Sequence, residues 1–207
     1  MDDLTSGFNI GTNYSLSAEF NELTGFTEED VRQMLNYYAT TCEFHHTTDE
    51  LAVLMKPWYD NYRFSEDSYG RTTMYNSNMV LYFVDNYVRN GGKPPKNMVE
   101  ENIRVDYNKL RMLIRKDKEF AHDASVIQKP VEQGFVTGEL KAGFPAEKIT
   151  HPDNFISLLF HFSMLTIGGT HKGATKLTIP NQVVREQLYN CLHRYSSQRD
   201  KQKGEAY

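Results

Sequence analysis

The chain has 207 residues, 39% of them hydrophobic and 13% aromatic, enough to bury a core in one domain or two small ones, which excludes a chain disordered throughout. Lys and Arg number 23 against 27 Asp and Glu, so the net charge of -4 gives the whole no electrostatic reason to seek nucleic acid or an anionic membrane. Cys42 and Cys191 form no disulfide framework, no apolar run reaches ~18 residues, and Met1-Asp2-Asp3-Leu4 lacks a secretory pattern, so a soluble, reduced, cytoplasmic protein is expected.

The opening Thr5 to Tyr14, rich in Gly, Asn, Ser and Thr, reads as loop, a connection from something upstream. A short helix is expected after Ser17, carrying Phe20 and Leu23 and closing near Gly25. Thr27 then caps a helix over 27–41, with Glu28, Glu29 and Asp30 at its positive end and Val31, Met34, Leu35 and Tyr38 on one face. Thr47 and Glu50 form a capping box for a segment with Leu51, Leu54 and Met55 on one face, which Pro57 should end or restart. Asn76 and Ser77 are candidate caps for a helix from Met79 to Arg89, stopped by Gly91-Gly92 with Pro94-Pro95 beyond.

Residues 105–133 continue the helical pattern, with Leu110, Leu113 and Ile114 as an apolar stripe among Lys109, Arg111, Arg115, Lys116 and Lys118, until Pro130 breaks it. From Pro152 or Asp153 an apolar helix runs from Phe155 to Met164, apolar enough to be buried on several sides. Leu165-Thr-Ile167 and Lys176-Leu-Thr-Ile179 alternate with period two around a glycine-rich turn at 168–173, a hairpin. Asn181 caps a last helix with Val184, Leu188, Cys191 and Leu192 on one face, and Arg199 to Tyr207 is a polar tail expected to be disordered. The expected fold is mainly α: a helical lid-like bundle over 1–104, then a connector and a winged-helix-like helix, β-hairpin and helix over 105–207.

The residues that bear chemistry are few. No G-x-x-x-x-G-K-[ST] occurs, and Gly168 to Gly173 sits between strands, so no phosphate cradle is expected. Cys42, His45 and His46, or Cys191 and His193, could supply part of a zinc site but not four converging ligands, so no metal site is assigned. Glu139-Leu-Lys141 matches half of a metal-dependent nuclease motif without the preceding aspartate, and His122, His151, His161 and His171 are scattered. The aromatic cluster of Trp58, Tyr59, Tyr62, Arg63, Phe64 and Tyr75, with Asp60 and Glu66, has two readings: stacking on a base with an arginine on phosphate, or an aromatic corner locking helices together.

The run Trp58-Tyr-Asp-Asn-Tyr-Arg-Phe-Ser65, followed by Met74-Tyr-Asn-Ser-Asn-Met79, resembles the predicted AAA-ATPase-like family of gut Bacteroidales and related anaerobes. There a W-Y-[DN]-G-Y-x-F segment precedes Y-N-P-x-S in the helical part after the ATPase core. Leu4 to Ile10, Phe155 to Phe160, Leu165 to Ile167 and Ile179 to Asn181 extend the likeness over nearly the whole chain, with Asn61 and Ser77 standing where Gly and Pro are common. The resemblance implies a non-catalytic lid and connector. ATP and Mg²⁺ would belong to the full-length protein, bound by Walker motifs before Met1, and a PD-(D/E)XK nuclease-like module would follow Tyr207. The implied partners are that ATPase core and that module. Tyr59, Tyr62, Arg63, Tyr75 and Asn76 would face the nucleotide or the core, with no catalytic residue in the chain. A nucleic-acid-binding module using the basic stretch Lys109 to Lys118, or a helical protein-interaction domain, are the rival expectations.

Overall fold

A computed structural model of the protein describes residues 14, 16–100, 124–149, 151–190 and 192–193. About half of the described residues are helical, and three short strands form a small antiparallel sheet. The opening loop, the basic stretch Lys109 to Lys118, His122, Cys191 and the polar tail lie outside the described residues.

Three helices build the first half: α1 (Glu28–Thr41), α2 (Thr48–Tyr59) and α3 (Ser77–Arg89). Both expected caps form, Thr47 with Glu50 as the expected capping box and Thr27 as a second box with Asp30. The Asp30 amide donates to Thr27 Oγ1 at 3.1 Å while the Asp30 carboxylate accepts from the Thr27 amide at 2.8 Å, and Glu50 repeats this with Thr47 at 3.2 and 2.8 Å. Each cap contributes about 1 kcal/mol and fixes where its helix begins. Val31 and Leu35, Leu51, Met55 and Tyr59, and Met79, Phe83, Val84 and Tyr87 recur at helical spacing and close one buried cluster. Gly91 and Gly92, at φ 60° and 74°, take the left-handed geometry that ends α3.

One expectation in this half holds only in part and another fails. After Ser17 the chain makes only a 3₁₀ turn, Ala18–Phe20, and Leu23 is 74% exposed, because no second apolar turn exists for a longer helix to bury. Pro57 neither ends nor restarts α2, which runs on to Tyr59. Its missing N–H forfeits a single bond, to the exposed Val53, in the last turn of the helix, where the loss is small against the burial of Tyr59.

The second half comprises α4 (Ala124–Glu132), β1 (Val136–Thr137), α5 (Pro152–His161), β2 (Thr166–His171), β3 (Ala174–Thr178) and a helix over 182–190, α6. The sheet order is β1-β3-β2, with Val136 opposite Leu177 and Ile167 also opposite Leu177 from the other side. Phe155, Leu159 and Phe160 of α5, Ile167, Leu177, and Val184 and Leu188 of α6 form the second buried cluster.

The glycine-rich segment is not all turn. Gly168 and Gly169 lie within β2 at a bulge, and the reversal is made by Lys172 and Gly173 alone, both with positive φ (53° and 82°), the two-residue geometry that matches strand twist. Pro130 does not break its helix either, which ends two residues later. The strand β1 is an element that period-two alternation could not show, since two residues carry no period. The apolar helix ends at His161 rather than Met164, where Ser163 turns at φ 58°.

Candidate functional site

The segment Asp60 to Ser65 leaves α2 and runs between the two clusters as a seam. Tyr62 and Met74 exchange backbone hydrogen bonds at 3.1 and 2.9 Å, and Phe26 and Tyr75 do so at 3.1 and 2.7 Å, so three stretches of chain form a narrow ribbon under the helices. The Asn76 amide donates to Tyr59 O at 2.8 Å, closing the ribbon onto the end of α2. On the opposite side the seam binds the second half through side chains. Thr166 Oγ1 accepts from the Arg63 amide at 2.7 Å and donates to Arg63 O at 3.2 Å. Asn181 Nδ2 donates to Asp60 O at 3.1 Å, and Asn61 Nδ2 to Pro180 O at 3.0 Å. The Phe64 amide reaches Asn21 Oδ1 at 2.9 Å, and the Thr175 hydroxyl donates to the Glu66 carboxylate.

Asn61 holds φ 84°, the left-handed region in which a β-carbon is costly and Asn and Gly are the residues most at ease. The position where the resemblance puts Gly is therefore one whose backbone calls for Gly or Asn. The turn there is kept, and the amide side chain adds the bond to Pro180.

The five residues singled out from the sequence do meet here, though their rings serve the core. Tyr59 and Tyr75 are 0% and 1% exposed, with the Tyr59 ring edge-on to Phe83 and its hydroxyl donating to Met98 O at 2.8 Å. Tyr62 is 4% exposed and stacked with Phe64, centroids 6.1 Å apart. Both faces of these rings are enclosed, which leaves no open face for a base and favours the aromatic corner. Burial pushes all three phenols above their ordinary range. At Tyr62 burial outweighs the neighbouring Asn181 and Asn76 side chains, and at Tyr75 the Asp60 and Glu28 carboxylates add to it. Asn76 is the N-cap of α3, its Oδ1 accepting from the Met79 amide at 3.2 Å, and Ser77 is the first helical residue.

Arg63 is different, since its guanidinium remains half-buried. It sits over the Tyr69 ring, 5.6 Å from the centroid, and Nη1 donates to Asn61 Oδ1 at 3.3 Å. Tyr69, Thr166, Asn181 and Asn21 belong to the seam and were not expected there. Asn181 was expected as a cap, which it is, its Oδ1 accepting from the Val184 amide at 3.3 Å.

Beside the ribbon, Glu28 bridges Lys56 at 2.7 Å and Arg32 at 2.9 Å, and the hydrogen bonds from Lys56 and then Arg32 hold its carboxyl below the usual range. Lys56 also lies 3.9 Å from the buried Asp60 carboxylate.

Of the metal candidates, the Cys191 and His193 pair includes a residue outside those described, and the Cys42, His45 and His46 set gathers no third ligand. His46 Nδ1 lies 2.8 Å from Tyr87 Oη, His45 Nε2 lies 3.3 Å from Glu43, and no group of three His, Cys, Asp or Glu side chains converges among the described residues. The Glu139 and Lys141 amides donate to Asp153 Oδ1 at 3.4 Å and Ser157 Oγ at 2.9 Å, so this stretch lies along α5. Among the described residues no helix is long and apolar enough to cross a membrane. Comparison with protein-family models, with curated proteins and with solved structures gives no match for the chain.

Proposed function

We propose that these residues form the non-catalytic lid and connecting region of an AAA-ATPase-like protein, passing the position of a helical bundle to a winged-helix-like unit. The observation that carries the reading is the seam. Of the two runs that bear the family resemblance, Trp58 to Ser65 is bonded to Thr166, Pro180 and Asn181, and Met74 to Met79 is bonded to that run at Tyr59 and Tyr62 and leads into α3. A connector needs such a joint, because displacement of one packed body is passed on only through contacts that hold both.

The winged-helix-like assignment rests on the order helix, strand, short 3₁₀ turn, helix and hairpin, with the last strand central in the sheet. It also supplies the rival reading, nucleic-acid binding. Against that rival stands α5, the helix such a plan would offer to a groove: Asn154 to Ser157, Leu159 and Phe160 are buried, leaving little polar surface to read bases. ATP and Mg²⁺ belong, in the preferred reading, to the ATPase core, with that core and a nuclease-like module as partners.

Calorimetric titration of ATP into the chain should give no micromolar binding, and such binding would overturn the lid-only role. Binding to short duplex DNA should be absent at low salt. Salt-dependent binding, weakened by changing Arg111 and Arg115 to Glu, would replace the lid with the nucleic-acid reading.

A further inference from the structure

Five buried side-chain polar atoms make no hydrogen bond among the described residues: Asp60 Oδ1, Arg63 Nε, Ser65 Oγ, Tyr75 Oη and Asn154 Oδ1. Three of them lie within Asp60 to Ser65, the stretch that the second half clasps, and Tyr75 lies beside it in the ribbon. Outside the ribbon only Asn154, on α5, carries such an atom among the described residues. A buried polar group without a partner penalises the closed state, because the same group regains a hydrogen bond as soon as water reaches it.

Two of the three belong to charged side chains, which raises the penalty. Asp60 is 3% exposed, and its one ion pair among the described residues, with Lys56, spans 3.9 Å, while the Lys56 ammonium is bonded to Glu28 at 2.7 Å. Arg63 enters none of the ion pairs of the described residues. Charges taken out of water with so little compensation favour any state that returns them to it. Asn61, between them, holds the left-handed backbone that costs a residue with a β-carbon. Against these costs the joint is held shut by separate side-chain bonds: Thr166 with Arg63, Asn181 with Asp60, Asn61 with Pro180 and Asn21 with Phe64.

We infer that the seam is a metastable joint, which opens to water as a unit while the helical and hairpin cores stay folded. The unmet polar groups of Asp60 to Ser65 set how readily it opens, and Thr166 and Asn181 set how firmly it closes. Such a low-lying open state is what lets one packed body move against another. It holds for any parent protein, and so goes beyond the lid reading, on which neither ATP nor DNA binding makes it depend.

Native-state amide hydrogen exchange of the full chain tests it. The amides of Arg63, Phe64 and Ile167, bonded to Thr166 Oγ1, Asn21 Oδ1 and Arg63 O, report on the joint. They should exchange together, about tenfold or more faster than the amides of Phe83 in α3 and Leu159 in α5, and with a weaker dependence on added denaturant. Ser65→Ala removes one orphaned atom and cuts no bond across the joint, so the three seam amides should exchange about five- to a hundredfold more slowly. Thr166→Val opens the clasp and should speed exchange by a similar factor at Phe64 and Ile167, whose own bonds it leaves intact. Retained protection at Phe83 and Leu159 shows that both variants keep their cores. Seam amides that exchange only together with Phe83 and Leu159 overturn the inference, since the joint would then open only by global unfolding. So does unchanged or faster seam exchange in Ser65→Ala, which would mean that the Ser65 hydroxyl has a partner in the closed joint.

Discussion

The helical half and the hairpin half are closed by different chemistry. In the first, capped helices meet through tyrosine, phenylalanine and methionine beside aliphatic side chains, and the hydroxyls of Tyr59 and Tyr87 reach backbone at Met98 and His45. In the second, phenylalanine and aliphatic side chains fill the space between α5, α6 and three short strands. The clusters also trade members, with Phe64 and Leu16 packing into the hairpin cluster and Val183 into the helical one. Cores are thus supplied by each half, while the joint between them is made of hydroxyl and amide side chains on backbone. A joint of that kind is directional and weak enough to break singly, which is how the comparison can be tested.

The largest effect is expected from Phe155→Ala in the hairpin core, a destabilisation of about 3–5 kcal/mol from the lost burial and the cavity left behind. Trp58, the single tryptophan, packs against the helical cluster and reports on the other half. If the seam couples the halves, the Trp58 fluorescence transition in denaturant should move down together with the far-ultraviolet ellipticity transition. Fluorescence unmoved while ellipticity splits into two steps would show two independent bodies. Thr166→Val keeps the shape of the side chain and leaves the Arg63 amide without its 2.7 Å partner, a cost of about 1–3 kcal/mol. Its sharper use is in combination: with Thr166→Val present, Phe155→Ala should displace the Trp58 transition less than it does alone, and an unchanged displacement would place the coupling elsewhere.

Local signals in the sequence carried the helices. Thr27 with Asp30, Thr47 with Glu50, Asn76, Gly91-Gly92 and Asn181 each act within a turn of their position, so their chemistry is legible without tertiary structure. What was illegible depends on partners about a hundred residues away. Nothing near Thr166 says that it will clasp Arg63, and the two residues of β1 become a strand only because β3 lies beside them. The aromatic cluster was visible as a cluster, but its two readings differ only in whether the ring faces are covered. That is settled by packing from α2, α3 and Phe64 rather than by the spacing of Tyr59, Tyr62 and Tyr75.

The smallest expected effect is a gain. Ser77 stands where the resembling family often has proline, and it is the first residue of α3, a position whose N–H has no partner within the helix. Asn76 before it is extended at φ -66° and ψ 112°, close to the conformation that a following proline imposes. The cap does not need the Ser77 amide, because Asn76 Oδ1 accepts from Met79. Ser77→Pro should therefore leave α3 intact and raise stability by about 0.4–1 kcal/mol, by removing conformations from the unfolded chain. The denaturation midpoint measures it, and a fall in place of the rise would mean that the Ser77 amide has a partner in the ribbon, so that the seam extends one residue further into α3.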